Sequence, residues 1–190
     1  MKIGFCVEGS TDRALLEGLR QRWCRHAELV QGRYRGRCRR REIPHACLEL
    51  QSKGADLIVM LRDANNENWR DVQKGDRASC SPEHGHLAVF SVCDRNVECW
   101  LTADRDYAAG RTNRAASDFD VPDPKKAFEA AMGITSRDRK VAEIVEYVQG
   151  ALLRRWLANG SFEDFYDQLW RKSREMNCAM PNLRAGSGSE

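Results

Sequence analysis

Residues 2–12, KIGFCVEGSTD, run from an apolar segment into an acidic turn. Five mostly apolar residues precede Glu8, and Gly9, Ser10 and Thr11 follow it before a helical pattern begins. This apolar run predicts a strand buried on both faces, as in a parallel sheet. Ser10 or Thr11 is a natural N-cap for the helix. Glu8 then lies at the carboxyl end of a strand, where open α/β sheets bind their ligands.

Glu8 has more than one possible role at that position. A carboxylate there is costly to bury unless it meets a cation. Glu8 could bind a metal ion, cap the following helix or pair with an arginine, because perturbed carboxylates also occur in structural networks. The first stretch alone leaves these alternatives open.

Two later stretches repeat the pattern of an apolar strand that ends in polar residues. Residues 55–66, ADLIVMLRDANN, contain Asp63 and, two positions on, the amide of Asn65. Residues 85–101, GHLAVFSVCDRNVECWL, contain a third apolar strand and then the start of a helix that carries Glu98. Because parallel strands end at the same edge of a sheet, the three strand-end acids are predicted to converge there.

Taken in order, these motifs resemble a Toprim (topoisomerase–primase) domain. More narrowly, they resemble the small Toprim-like proteins related to the overcoming-lysogenization-defect (OLD) nucleases. The motifs are Glu-Gly-x-Thr-Asp, then Asp-x-Asn, then Arg-Asn-x-Glu-x-Trp-Leu. The resemblance covers residues 1–104 and implies an α/β, Toprim-like Rossmannoid parallel sheet of about four strands flanked by helices. The family's second motif is usually Asp-x-Asp, so Asn65 supplies an oxygen without the usual negative charge.

The residues at the strand ends suit Mg²⁺ or Mn²⁺, which prefer oxygen ligands. A bound divalent ion can polarise a phosphodiester and lower the pKa of its water. Glu8 is predicted to be a metal ligand or the general base, Asp63 the principal ligand and Asn65 an auxiliary one. Glu98 would complete the ligand set or hold a second ion, and Asp12 would be an outer ligand or bind the second ion. Glu8, Asp63 and Glu98 are thus the predicted catalytic residues.

A second functional candidate is the basic run at residues 33–41, which follows a possible second strand. It contains Tyr34 and six arginines, namely Arg33, Arg35, Arg37, Arg39, Arg40 and Arg41. The arginines could bind nucleic acid phosphates, with Tyr34 as a stacking surface, or form a solvated loop. Arg95, near Glu98, could likewise neutralise a phosphate or pair with Asp94.

Composition bounds the class of protein. The chain has 190 residues, 42% of them apolar and 31% charged, with a net charge of +3. We expect a mildly basic, cytoplasmic protein, because no apolar run approaches the ~20 residues of a membrane span and no signal pattern opens the chain. The eight cysteines form no C-x-x-C pair, so free thiols are expected rather than a zinc site or a disulfide framework.

The pattern along the chain predicts three parts. Residues 1–104 form the Toprim-like core, and residues 105–183 form a helical C-terminal extension. Residues 184–190 have the composition of a flexible tail at an engineered tag junction. Within the extension, residues 105–121 have few apolar residues and are expected to be a connection that could close over a site or stay mobile. Helices are expected over residues 124–132, 137–157 and 161–175.

The resemblance implies a metal-dependent nuclease that acts beside an ATPase, as the effector of an anti-phage defence complex. The chain has no glycine-rich phosphate loop, so the ATPase would be a separate subunit. The other expected partner is nucleic acid, DNA in preference to RNA, and the chain could also form a homo-oligomer. The alternatives are a non-catalytic Toprim scaffold that binds nucleic acid or the ATPase, and a primase-like or topoisomerase-like nucleotidyl transferase, which no polymerase motif supports.

Overall fold

A computed structural model describes residues 1–33, 39–133, 137–176, 178 and 180–185. Its strands are β1 (Lys2–Val7), β2 (Glu28–Gln31), β3 (Leu57–Asp63) and β4 (Ala88–Cys93). All neighbouring pairs are parallel, in the order β2-β1-β3-β4. The predicted α/β class, with a parallel sheet flanked by helices and a helical C-terminal segment, is confirmed.

Helices connect the strands and make up most of the rest of the chain. In the described residues they are α1 (Ser10–Trp23), α2 (Ile43–Ser52), α3 (Trp69–Ser79), α4 (Pro82–Gly85), α5 (Glu98–Leu101), α6 (Arg105–Thr112), α7 (Lys125–Ala131), α8 (Arg137–Gly150), α9 (Leu153–Trp156) and α10 (Gly160–Glu175). Single 3₁₀ turns lie at Arg40–Glu42 and Ala116–Phe119. Within these same ranges, no helix has the length and apolar content needed to cross a bilayer.

Both faces of the sheet are covered, which explains why β3 is apolar along most of its length. Successive side chains of a strand point to opposite faces. Val59 and Leu61 therefore enter a large core shared with α1, α8 and α10. Ile58 and Met60 enter a smaller core shared with α2. This two-sided burial is the arrangement expected of a parallel sheet.

The C-terminal helices complete the larger core. Tyr147 of α8 and Phe162 and Phe165 of α10 are fully buried in the same cluster as the residues of β1 and β3. Phe165 stacks on Trp100, with ring centroids 5.1 Å apart. Residues 105–183, predicted as an extension, thus pack directly on the region predicted as the core.

The edge of the sheet at β4 is covered by two glutamine side chains. The Gln168 Nε2 atom donates to the Phe90 carbonyl at 3.0 Å, and the Phe90 amide donates to Gln168 Oε1 at 3.3 Å. Gln73 Nε2 donates to the same carbonyl at 2.9 Å. Asp164 accepts hydrogen bonds from both glutamines. An exposed edge can template pairing with another chain, and these side chains occupy its hydrogen-bonding groups at Phe90.

Three local expectations are wrong. The segment 105–121, expected as a connection that could stay mobile, forms α6 and a 3₁₀ turn around the buried side chains of Ala108 and Phe119. The helix predicted over 137–157 is interrupted after Gly150 and divided into α8 and α9. The N-cap of α1 is Gly9 rather than Ser10 or Thr11, and Asp12 closes that turn.

The chain ends also differ from expectation. Cys24 and Cys178 form a disulfide with their Cα atoms 6.0 Å apart, whereas free thiols were expected. This pair joins the end of α1 to the segment after α10. Arg184, assigned to the flexible tail, donates to Glu163 and Asp167 at 2.9 Å, so the packed chain extends at least that far. Residues 186–190 of that tail lie outside the described residues.

Candidate active site

Three acids lie at the carboxyl edge of the sheet. Glu8 directly follows β1, Asp63 is the last residue of β3, and Glu98 opens α5 just after β4. Glu8 Oε2 accepts a hydrogen bond from the Asp63 amide at 3.3 Å. Asp63 is paired in register with Cys93, so the third strand ends at the same level. The parallel topology therefore brings these acids to one edge.

Asp12 adds a fourth carboxylate from the first turn of α1. Its Oδ2 atom accepts the Gly9 amide at 2.7 Å, and its side chain is buried. The turn between β1 and α1 is therefore closed by the same acid that faces the neighbouring carboxylates. Gly9 is the N-cap and has no side chain, so Asp12, at the third helical position, makes only the reciprocal half of a capping box by accepting the Gly9 amide.

Burial and mutual repulsion disfavour the charged forms of these acids. Burial, followed by the charges of Asp12, Glu8 and Glu98, raises the pKa of Asp63 to about 8. Burial raises the pKa of Asp12 to about 6, with the Gly9 hydrogen bond opposing and Glu98 and Glu8 adding to the rise. The pKa of Glu98 is also raised, chiefly by burial. Like charges held this close favour either protonation or a bound cation.

Two of the carboxylates have an oxygen that no protein group satisfies. Asp63 Oδ1 and Glu98 Oε2 are buried and have no hydrogen-bond partner in the described part of the chain. Glu98 is only 1% exposed. An unsatisfied buried acceptor costs roughly 1–3 kcal/mol, and more when it is charged. Both oxygens are of the type that Mg²⁺ and Mn²⁺ bind.

The carboxylates are near one another but do not form a finished metal cage. Across the described ranges, no group of three or more His, Cys, Asp or Glu side chains is close enough to hold a metal ion as placed. The donor types and the two unsatisfied oxygens fit a divalent cation. The carboxylates are too far apart to hold the ion as they are placed, so binding would require these side chains to move closer together.

Asn65 and Arg95 occupy adjacent loops in an unusual backbone conformation. Their φ angles are 56° and 66°, in the left-handed region that non-glycine residues rarely adopt. The Asn65 amide donates to the Arg95 carbonyl at 2.8 Å, which fixes one loop against the other. Such strain concentrates at functional sites. The Asn65 side chain is exposed, and no contact with the carboxylates assigns it the predicted ligand role.

Arg95 lies near an acid other than the predicted Asp94. Hydrogen bonds from Asn96 and from the Lys125 amide are the main causes that lower the pKa of Asp123, and the charge of Arg95 also contributes. The half-buried Arg95 side chain therefore has Asp123, just before α7, as a nearby acid in addition to its neighbour Asp94. Its predicted contact with a phosphate stays a prediction.

Lys125 is a site residue that the sequence did not indicate. Asn96 Nδ2 donates to Asp123 Oδ1 at 2.8 Å, and the same oxygen accepts the Lys125 amide at 3.2 Å. This link holds the start of α7 next to the loop that leads to Glu98. Burial lowers the pKa of Lys125, but the charges of Glu98 and Asp63 outweigh it and the pKa is raised. The Asp-Pro helix start was visible in the sequence, but its position against the sheet depends on tertiary packing.

The arginine run is divided among separate partners. The Arg33 amide donates to Glu49 at 3.1 Å, and Arg41 Nε lies 3.9 Å from Glu42. Arg39 is exposed, and Arg40 Nε lies 3.5 Å from Asp76 Oδ1. Tyr34, Arg35 and Arg37 fall outside the described residues.

Comparisons with known proteins identify no match to this chain. No protein-family model, curated protein or solved structure matches the chain. The resemblance to Toprim domains therefore rests on the three sequence motifs alone.

Proposed function

We propose that this protein is a metal-dependent nuclease that cleaves phosphodiester bonds of nucleic acid with Mg²⁺ or Mn²⁺. One observation carries the proposal most directly. Four carboxylates, from Glu8, Asp12, Asp63 and Glu98, lie together at the carboxyl edge of a parallel sheet, and two of them have a buried oxygen without a partner. An arrangement this costly is typical of sites that bind a cation.

The proposed roles follow from burial and position. Asp63 and Glu98 would hold the ion through their unsatisfied oxygens, with Asp12 adding negative charge. A bound divalent ion supplies Lewis acidity to a phosphodiester and a lower pKa to its attacking water. Glu8, which is only partly buried, would orient that water or accept its proton. Lys125, whose pKa is raised by the charges of Glu98 and Asp63 against the effect of burial, would neutralise the phosphate.

Asn65 affects how many metal ions we expect the site to bind. The second motif of the resembled family usually supplies two aspartates, and here it supplies one. With less negative charge, one ion should bind first, and a second would need the substrate phosphate. We expect cleavage by the isolated protein to be weak, stronger with Mn²⁺, and stronger again with an ATPase subunit.

The ATPase subunit, the role in anti-phage defence and the preference for DNA rest on the resemblance alone. The second candidate function is a non-catalytic Toprim scaffold that binds nucleic acid or the ATPase. The observation that favours it is the lack, among the described side chains, of a ready-formed metal-binding group.

A single-turnover assay tests the nuclease proposal. Labelled DNA and RNA are incubated with excess protein and Mn²⁺, with EDTA as the blank. Wild type should cleave at least one of them, and Glu8→Gln should abolish cleavage. Glu83→Gln, which changes an exposed acid on α4, should cleave as wild type does. If Glu8→Gln cleaves as fast as wild type, this site is not catalytic, and if wild type binds nucleic acid without cleaving it, the scaffold function is favoured.

A further inference from the structure

We propose that Arg40 is a phosphate-binding residue held in place by a seat on α3, and that it directs a nucleic acid strand toward the carboxylates. The seat, which we call the Arg40 seat, consists of Gly75 and Asp76 of α3 and Arg62 of β3. This role deepens the proposed nuclease function and presupposes it. It also distinguishes Arg40 from the other arginines of the basic run, because the Arg40 seat fixes its side chain.

The centre of the Arg40 seat is a single buried acid shared by two arginines. Asp76 is 2% exposed. Its Oδ1 atom lies 3.5 Å from Arg40 Nε and 3.4 Å from Arg62 Nη1. Within the Arg40 seat, two guanidinium groups on one carboxylate leave an excess of one positive charge. Glu8 lies nearby, and its charge adds to the effect of burial in raising the pKa of Asp76. Because of the excess positive charge, the cluster can attract an anion and still keep Asp76 paired.

Gly75 makes room for Arg40 to lie flat against α3. A Cβ atom added at Gly75 would overlap the Arg40 guanidinium, with Nε 2.8 Å away and Nη2 closer still. Any larger residue would push the guanidinium out of its seat. A glycine inside a helix costs stability relative to alanine, so its presence here is consistent with a need for this close approach.

The Arg40 seat lies beside the carboxylate site because of strand register. Cys6 pairs with Met60 and Val7 with Leu61, so the next residues along, Glu8 and Arg62, lie at the same level. Alternation then places Glu8 and Arg62 on the same face of the sheet. A phosphate on Arg40 would therefore lie on the same side of the sheet as Glu8.

Arg40 retains capacity to bind an anion, whereas Arg62 adds positive charge from a more buried position. The Arg40 side chain is 55% exposed, although its Nε faces Asp76. Arg62 Nε is buried and has no hydrogen-bond partner in the described ranges. A guanidinium that is fixed by one carboxylate and open on its outer side binds phosphate with little further loss of side-chain entropy. Nucleic acid is the favoured ligand because the seat adjoins a proposed phosphodiester-cleaving site.

The test uses Gly75→Ala, which displaces only the flexible end of Arg40. Affinity for a short labelled oligonucleotide is measured in EDTA over a range of salt concentrations, so that binding is separated from cleavage. Gly75→Ala should weaken binding about 3- to 10-fold and reduce the magnitude of the salt slope by about 0.7–0.9, the value for one lost phosphate contact. Thermal unfolding should not move to lower temperature, since alanine favours a helix.

Three further variants make the result specific. Gly110→Ala in α6, where a Cβ would meet nothing within 4 Å, is the matched control and should bind as wild type does. Arg40→Ala should lose as much affinity as Gly75→Ala, and the double variant should lose no more than Arg40→Ala alone.

The outcomes distinguish this role from the nuclease proposal. Wild-type affinity in Gly75→Ala, additive losses in the double variant, or no binding by wild type would each overturn the role of Arg40. If Gly75→Ala binds normally while wild type cleaves with Mn²⁺, only the role of Arg40 fails. If Gly75→Ala binds weakly while wild type never cleaves, the Arg40 seat stands and the nuclease proposal fails.

Discussion

At the residue scale, Asp63 combines a strand-end position with strong desolvation. Burial raises its pKa to about 8, far above the usual range of an aspartate. Below about pH 4 both folded and unfolded states hold the proton. As pH rises toward 8, only the unfolded state releases it, so this residue reduces the free energy of unfolding progressively over that range.

Asp63→Asn should therefore stabilise the metal-free protein, and more at high pH. In EDTA we expect an increase of about 1–3 kcal/mol in the free energy of unfolding at pH 8, and a smaller increase at pH 5. Asp71→Asn, on the exposed side of α3, should show no such pH-dependent gain. Denaturant unfolding at the two pH values measures both. An equal effect at both pH values would mean that Asp63 is not held in its neutral form.

Asn65 offers a test of ligand charge at nearly constant shape. Asp tolerates the left-handed backbone conformation almost as well as Asn, so Asn65→Asp should fold normally. Manganese affinity should be unchanged or a few-fold higher, because the variant restores the acid of the usual motif. Asn66→Asp, at the exposed neighbouring position, should leave the affinity near the wild-type value. Titration calorimetry distinguishes the two, and a loss of affinity in Asn65→Asp would remove this residue from the site.

Some site residues could be predicted from the sequence and others could not, because different parts of the fold position them. Glu8 follows β1, Asp63 ends β3 and Glu98 opens the helix after β4, so the parallel topology brings them to one edge of the sheet. Lys125 and Asp76 belong to helices whose position depends on packing between distant segments. No local pattern marks such residues, because an isolated lysine or aspartate on a helix is usually a solvated side chain.

At the element scale, sequence pattern predicted the long amphipathic and fully apolar segments. Continuous apolar runs match the strands β1, β3 and β4. Apolar residues at helical spacing match the helices α1 and α10. The polar segment that became α6 has few apolar residues, and Ala108 and Phe119 become buried only through tertiary contacts. Similarly, a serine at a helix start often caps the helix, but the Ser161 hydroxyl accepts hydrogen bonds from Trp100 Nε1 and the Asp94 amide, while Asn159 caps α10.

The contact between α1 and α8 provides a prediction at this scale. A Cβ added at Gly18 would lie 2.7 Å from the Cβ of Val148, which is fully buried and cannot move aside. Gly18→Ala should therefore lower the free energy of unfolding by about 1–3 kcal/mol, despite the better helix propensity of alanine. Gly110→Ala should be neutral or slightly stabilising. Thermal denaturation of both variants measures the difference, and equal midpoints would contradict the close packing of α1 on α8.

At the scale of the whole molecule, the two predicted parts share one core. Trp100 contacts Phe162 and Phe165, and Tyr147 Oη donates to the Leu101 carbonyl at 2.7 Å. The sequence indicated a boundary at residue 104 because the motifs end there. It could not show which apolar faces of later helices cover the sheet, because amphipathic patterns specify a buried face but not its partner.

A chain truncated after residue 104 should therefore fail to form a stable fold. Removing α8 and α10 would expose one face of the sheet, and several fully buried aromatic side chains would be lost. A chain ending at Ala185 keeps the contacts of Arg184 with Glu163 and Asp167 and should match the full chain. Circular dichroism and limited proteolysis compare the two. Cooperative unfolding of the 1–104 fragment would show instead that it is an independent domain.

The measurement that tests the proposed active site most directly is titration of Mn²⁺ into the metal-free protein by calorimetry. Wild type should bind an ion, and Glu98→Gln should bind it at least about tenfold more weakly, because the unsatisfied Glu98 carboxylate is a proposed ligand. Glu83→Gln should bind as wild type does. Equal affinities in wild type and Glu98→Gln, or no binding by wild type, would contradict a metal site at the strand ends.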